Sequence, residues 1–334
     1  MPGIGVISNR NARLNKLYPQ LKNRLAFLVG RGGDLASTGS LDDARSAMEE
    51  FKRVGIDMVA ISGGDGTAHR TIEILIDVYG DAELPPVLLL PTGTQNMIPG
   101  SFGIRNSGVT TLLLAMARYR HNIPLRCIRR NVLKVNEHYS FMFGVGIAPR
   151  FLQEYYRLEA TTPIKAAMLA GRLAFEGIQG TERAKWLTAK MPMEIRFDEG
   201  RSLRVQPHSV FCSFIEEISL RFRTFPRAGW DEGVFEVMQV KDSPILVPKG
   251  MPFLWMGSIR PLDGFERAMA RRLELVIDKP EPYTLDGDVY DPTDRFVIEA
   301  GPEIDFVVPG LKILPGDSRV RSGKIGPWGM QFIV

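Results

Sequence analysis

Short apolar runs alternate with amphipathic stretches through the first 125 residues. GIGVISN, IDMVAIS and VLLL are continuous apolar runs of strand length, the pattern of strands buried on both faces. Between them the spacing turns helical. Leu41, Ala44, Met48 and Phe51 follow Ser40, with Asp43 three residues on as a capping-box partner and Gly55 as the stop. Ile72, Leu75, Ile76 and Tyr79 form a second stripe, and Asn106 or Ser107 caps a third helix, TTLLLAMARYR. Strands alternating with helices predict a largely parallel, doubly wound α/β sheet. From about residue 126 the pattern changes to short strands separated by Gly and Pro: NVLKVN, YSFMFGVG, MEIRF, SVFCSFI, VFEVMQV, LELVI and FVIEA. This predicts an all-β, sandwich-like region, interrupted by one helical stretch over 150–180. The expected division is 1–125 as an α/β domain, completed by the tail 310–334 if that tail returns to it, and 126–309 as a β-sandwich domain.

Composition changes this picture little. A chain of 334 residues suits two domains, and 44% hydrophobic with 24% charged residues is a globular balance. Two cysteines, Cys127 and Cys212, exclude a disulfide framework or a cysteine-rich metal site and fit a reducing compartment. MPGIGVISNR has no basic stretch leading into an apolar core, so no signal peptide is expected. No run of 18 apolar residues predicts a spanning helix. The net charge of +4 favours nucleotides or an anionic membrane surface as partners. The expected location is cytoplasmic with peripheral membrane association, with no nucleic-acid partner, and homodimer formation stays open.

The chemistry concentrates in two glycine loops. GGDGT, Gly63–Thr67, stands between the run IDMVAIS and a helical pattern. Adjacent glycines let the backbone come close to a ligand, and amides at a helix entry favour a phosphate. Asp65 inside the turn either holds Mg2+ between phosphates or orients a donor through water. Thr67 adds a hydroxyl. A second loop, PTGTQNMIPGSFGI, follows the strand VLLL. In open α/β sheets ligands bind beyond the carboxyl ends of the strands, where both loops are expected.

ISGGDGTAHRTIEIL followed by LPTGTQNMIPGSFGI resembles the diacylglycerol kinase catalytic-domain family, which includes bacterial lipid kinases and sphingosine kinases. YTLDGDVYD resembles the family's DGE segment, AGWDEGVFEVMQV its DDG stretch, and VISNRNARLN its first-strand turn; together they span roughly residues 4 to 310, in family order. The resemblance implies an α/β ATP-binding domain, a β-sandwich lipid domain and a site in the cleft between them. It implies ATP and Mg2+ as cofactors, with donor contacts at Asn9, Arg10, Asn11 and Thr38, a cradle of Gly63, Gly64, Asp65, Gly66 and Thr67, and Thr94 and Asn96 in the second loop. It further implies Glu154 and Arg157 as an acid and a phosphate-binding arginine, Asp288 as the segment's last acid, and Asp286 as the general base of phosphoryl transfer. A structural Mg2+ on Asp231 or Glu232 is implied as well. Read without the family, Asp286-Gly287 is a hairpin turn, Arg157 a solvated helix charge and Glu232 an ordinary turn acid.

Departures bear on substrate. His69-Arg70 replaces the family's usual NE, and His69 reads as a helix cap or surface group. Met97 follows the second-loop Asn, and DGE is DGD. Arg150 stands where sphingosine kinases carry an acid facing the lipid amine, and a cation there repels an ammonium. This reads as a lipid kinase acting on diacylglycerol or a related neutral or anionic lipid. The alternatives are a soluble-substrate kinase of the NAD kinase type, since those share GGDGT, and a non-catalytic nucleotide-binding regulator. Ile164, Ala167, Met168, Gly171, Phe175 and Ile178 form one helical stripe, flanked by Lys165 and Arg172. It reads as core packing, or else as a gate to an acyl-chain pocket. FPRAGW and MPFLWMG are further candidates for interfacial contact.

Overall fold

A computed structural model describes residues 3–9, 33–93, 96–121, 123–158, 162–218, 222–241, 247–310, 324–325 and 331–333. The chain divides into two units, one of Met1–Arg130 with Pro302–Val334 and one of Asn131–Gly301.

The first unit contains the strands β1 (Ile4–Asn9), β2 (Gly33–Thr38), β3 (Met58–Gly63) and β4 (Val87–Pro91). They pair in parallel in the order β2-β1-β3-β4. Alternating strand and helix forces this arrangement, because parallel neighbours need a crossover. Helix α1 (Leu41–Val54) starts where Ser40 and Asp43 close a capping box, and stops at Gly55 in the left-handed region. Its Phe51 lies against β1 at Gly5, where a Cβ would come within 2.6 Å of the ring. Helix α2 (Asp65–Tyr79) packs on β3 and α1. Two further helices follow, α3 (Met97–Ser101) and α4 (Gly108–Arg120), the latter capped by Ser107. Leu112, Ala115 and Met116 of α4 join Ile4, Val6, Met58, Ala60, Leu88 and Leu90 in one core. Since Gly5 faces α1 while Ile4 and Val6 face α4, the sheet is covered on both sides, which is the doubly wound α/β fold expected from the sequence.

The strand β5 (Leu125–Val135) crosses the division at residue 130. The second unit then contains β6 (His138–Ser140), β7 (Met142–Gly146), helices α5 (Ile147–Tyr156), α6 (Pro163–Gln179) and α7 (Glu182–Leu187), and strands β8 (Met193–Phe197), β9 (Leu203–Val205), β10 (Ser209–Ser213) and β11 (Phe235–Val240). After these come α8 (Val247–Met256), β12 (Phe265–Ala270), β13 (Arg272–Leu285) and β14 (Asp288–Val307). The last of these crosses the division at residue 301. Neighbouring strands β12-β11-β10-β7-β13-β14 are antiparallel, and β8 pairs with β13 and β9. Phe143, Val145, Ile195, Cys212, Val237, Leu275 and Phe296 lie in one core cluster. This is the β-rich region expected after residue 126. Short strands β15 (Lys324–Ile325) and β16 (Gln331–Ile333) end the chain, the latter parallel to β5.

Several elements differ from expectation. The stretch over 150–180 is two helices, α5 and α6, separated before the cap Thr162 and Pro163. Helix α8, with Pro252 inside it, was not legible in its sequence. Pro280 and Pro282 lie within β13, where the register against β14 shifts twice, between Val276 and Glu281 and between Glu281 and Tyr283. Such irregularities are where a strand tolerates proline. Among the described residues no helix is long and apolar enough to cross a membrane.

Candidate functional site

In the first unit the parallel register brings four strand ends together. Asn9 is level with Thr38, Ser8 with Ser62, and Gly63 with Pro91. The chain then leaves β3 through Gly64 directly into α2, and Gly64 offers no side chain to cap it. The first amides of a helix have no intrahelical partner, so this entry has the polarity of an anion site.

Glycine is required here by close approach. A Cβ on Gly63 would lie 2.3 Å from the Cβ of Thr67, and one on Gly93 would lie 2.4 Å from the Cα of Gly64. The two glycine loops therefore touch backbone to backbone, Gly64 on Gly93. Gly93 lay within the recognised second loop, but sequence reasoning did not single it out; its signal was its place two residues after the end of an apolar strand.

Side chains lock this pair of loops. Asn96, in the left-handed region at φ 52°, accepts from the Gly93 amide at 3.0 Å and donates to the Gly93 carbonyl at 3.1 Å. The Asp65 carboxylate accepts from the Ile98 amide at 3.0 Å, across 33 residues of chain. Asp65 thus ties one loop to the helix after the other, a structural task the sequence reading had not given it. Asn9 donates to the Thr67 hydroxyl oxygen at 2.8 Å. With that acceptor position filled by Asn9, the hydroxyl proton of Thr67 is directed elsewhere. Thr38 is buried at the end of β2. Gly66 lies in the first turn of α2. Arg10, Asn11 and Thr94 lie outside the described residues.

His69, read as a cap or surface group, is instead 1% exposed. Helix α2 is buried around most of its circumference, and its solvent side carries Arg70, Glu73 and Asp77 rather than His69. Arg70 pairs with Glu73 on the same helix.

In the second unit, Asp286 and Gly287 form a two-residue hairpin between β13 and β14, with φ of 50° and 98° and Leu285 paired with Asp288. Asp-Gly suits such a turn because both central residues need positive φ. Asp286 is 5% exposed, and its carboxylate accepts from the amides of Phe141 and Met142 at 3.0 and 2.8 Å. The Tyr156 hydroxyl donates to the Gly287 carbonyl at 2.7 Å, pinning the hairpin tip to the end of α5. Partial burial, with the nearby Asp288 carboxylate, pushes the Tyr156 phenol above its ordinary range.

Other candidates are committed to internal partners. Glu154 is buried and shared between Arg157, at 2.7 Å, and Arg183. Arg183, on α7, was not read from the sequence. Arg150, expected to bear on substrate charge, is 4% exposed. It donates to the carbonyls of Trp186, Leu187 and Ala189 and to Glu281 at 2.7 Å. Its charge is neutralised inside the unit, so it cannot serve as the cation that repels an ammonium head group; the expected substrate role is corrected to that of a core ion pair.

Asp231 and Glu232 are exposed in the turn before Gly233. The Gly233 amide donates to Asn131, and Arg271 donates to the Glu232 carbonyl at 3.2 Å. That guanidinium occupies the Glu232 carbonyl, and its charge opposes a cation beside it. These residues do not fit the structural Mg2+ that the resemblance implied, and among the described residues no group of three or more His, Cys, Asp or Glu is placed to hold a metal.

Comparison with known proteins shows what part of this chain resembles. The sequence model described as "Diacylglycerol kinase catalytic domain" matches residues 4–126. Among curated proteins the chain is 32% identical over 94 residues to "Probable lipid kinase YegS" of Shigella flexneri, covering 28% of this chain and 31% of that protein. It is 33% identical over 100 residues to the protein of that name from Salmonella arizonae, covering 30% of this chain. The matched stretch spans about a third, 31%, of these curated relatives. A crystal structure of a diacylglycerol kinase from Bacillus anthracis str. Sterne superposes with a TM-score of 0.60 at 15% identity, covering 90% of this chain and 96% of that one, and so shares its fold. Over residues 4–126, then, the chain matches the diacylglycerol kinase catalytic domain family, and the resemblance carried by its two glycine loops stands.

Proposed function

We propose that the protein is an ATP-dependent lipid kinase that transfers the γ-phosphoryl group to a hydroxyl of diacylglycerol or a related neutral or anionic lipid. One observation carries the reading: the glycine loops touch at Gly64 and Gly93 and present an uncapped helix entry at the carboxyl end of β3. Phosphoryl transfer needs positioning and charge neutralisation rather than a covalent intermediate. The chain supplies positioning through the amides at the entry of α2, the Thr67 hydroxyl oriented by Asn9, and the Asn96-closed second loop. Arg10, Asn11, Thr38, Thr94, Arg157 and Asp288 keep the donor-binding roles that the resemblance implies for them, with Glu154 acting through its bond to Arg157, as part of this proposal.

Mg2+ accompanies the nucleotide in this reading. Asp65, held in the cradle by its bond from the Ile98 amide, is the carboxylate that would hold the ion. When bound, the ion neutralises charge on the transferring group. Asp286 accepts the proton of the lipid hydroxyl as it attacks. The hairpin holds this carboxylate in one orientation, with Phe141 and Met142 fixing it from the backbone side.

The test is a transfer assay with labelled ATP against a lipid panel in micelles, with NAD as the soluble acceptor. Phosphorylated diacylglycerol or a related hydroxylated lipid is the expected product. Transfer to NAD alone overturns the lipid reading, and no transfer to any acceptor despite nucleotide binding overturns the enzymatic one.

A further inference from the structure

Helix α6 is apolar on two sides. Leu169 and Leu173 point inward, packing with Tyr155 and Leu187. The stripe legible in the sequence is the other side: Ile164 is 74% exposed, Met168 69%, Phe175 59% and Ile178 72%. A Cβ added at Gly171, on the same stripe, meets nothing within 4 Å. The core-packing reading of this stripe is therefore corrected: the residues that pack are the leucines between.

The helix is well formed, with Thr162 as N-cap accepting from the Lys165 amide, Pro163 at its start and Gly180 in the left-handed region at its end. An exposed apolar row on a rigid, capped helix costs free energy in water unless something covers it. The surrounding charge says what. The segment 162–190 carries five cations (Lys165, Arg172, Arg183, Lys185, Lys190) against two acids (Glu176, Glu182), a net of +3, of which Arg183 also pairs with Glu154 outside the segment. Trp186, on α7 packed beside α6, is 43% exposed. An apolar row of Ile, Met and Phe, an exposed Trp and flanking cations are together what an interfacial helix needs on an anionic bilayer, where apolar insertion and charge attraction act jointly. A second copy of this chain would bring the same +3 segment against itself, which charge opposes.

We infer that the outward face of α6 is a bilayer-docking surface that inserts Ile164, Met168, Phe175 and Ile178 into the headgroup boundary of an anionic membrane. The inference rests on the lipid-kinase reading for its purpose, since docking brings the enzyme to a substrate that stays in the bilayer, but its readout is independent of transfer.

The experiment is vesicle co-sedimentation of the full chain, with phosphatidylcholine vesicles and with vesicles containing phosphatidylglycerol. Wild type should bind the anionic vesicles. Met168→Asp/Phe175→Asp, both at exposed positions, should lose roughly tenfold or more of that binding, with unchanged melting and unchanged transfer to a short-chain, monomerically dispersed diacylglycerol. Lys165→Gln/Lys185→Gln should lose about fivefold per cation on anionic vesicles and little on neutral ones. Wild-type binding by the double aspartate variant overturns the inference. So does a wild-type dimer that this variant splits without changing vesicle binding, which would assign the face to a second copy. If no lipid is phosphorylated yet vesicle binding is lost in the aspartate variant, the docking face stands and the substrate reading falls.

Discussion

Gly93→Ala adds one methyl group, and the structure says where it goes. Its Cβ would lie 2.4 Å from the Gly64 Cα, where ordinary contact begins at 3.4 Å, so the loops must separate by 3.4 − 2.4 = 1.0 Å. The obstacle is main chain, so no side chain can rotate away. The same Cβ would lie 3.0 Å from the Asn96 oxygen that receives the Gly93 amide, so the lock on the loop is strained as well. Gly93 does not have a positive φ, so alanine suits its backbone and the effect is purely steric. Overpacking of this kind costs about 1–3 kcal/mol, or roughly 2–4 °C in Tm per kcal/mol for a body of this size. A 1 Å displacement of a positioning group costs about 10²-fold in rate. The assay is initial-rate phosphoryl transfer beside thermal melting, with Gly171→Ala as the control. That alanine meets nothing and should gain about 0.4–1 kcal/mol from helix formation. Wild-type turnover in Gly93→Ala would refute the claim that the Gly64–Gly93 contact builds the site.

Asp286→Asn can keep both amide bonds on one oxygen, since Phe141 and Met142 both reach Oδ1, while losing the proton acceptor; turnover should fall by about 10²–10⁴-fold with nucleotide affinity held, and a collapse of affinity instead would make it a ligand. Asn9→Ala removes the donor to Thr67 and should weaken nucleotide binding by roughly two- to tenfold, the worth of one hydrogen bond; titration showing no change would remove Asn9 from the site. Arg150→Met strips three carbonyls and Glu281 of their partner and should cost about 3–5 kcal/mol, toward the low end because Glu281 is partly exposed; a stable variant with altered lipid preference would restore the substrate role. Cys127 and Cys212 are buried with thiols pushed well up by that burial, so at pH 8 neither thiolate forms and native protein should resist thiol reagents until it unfolds; labelling of the folded protein would contradict their placement.

What could be read from sequence was what local chemistry encodes. Ser40, Asp43 and Gly55 bound α1 because capping is decided within a few residues, and both glycine loops announced themselves by following apolar strands. The strand ends could be aligned only as a class, since register comes from pairing. The sense of α6 was illegible for a definite reason. Periodicity gives a stripe but not which side faces inward, and here Leu169 and Leu173 lie between the stripe residues and do the packing. Arg150 was misread because Glu281 lies 131 residues away. Asp65 was read for its charge, and its bond to Ile98 depends on a loop contact that no spacing reveals.

The hairpin at Asp286 has a consequence for how the protein comes to be made. Its carboxylate meets amides 145 and 144 positions earlier in the chain, and it must adopt a left-handed conformation to do so. A contact of that separation incurs its loop-closure entropy before any bond rewards it. The turn itself can form locally on the microsecond scale of hairpins, but the carboxylate finds its partners only after β7 has been set beside β13. A nascent chain that has not yet extended past residue 286 therefore lacks the group proposed to take the proton, however well its glycine loops have already folded. Synthesis thus delivers the residues of the glycine loops long before Asp286, yet the unit that holds those loops is completed only by Pro302–Val334, after the proton acceptor has already emerged.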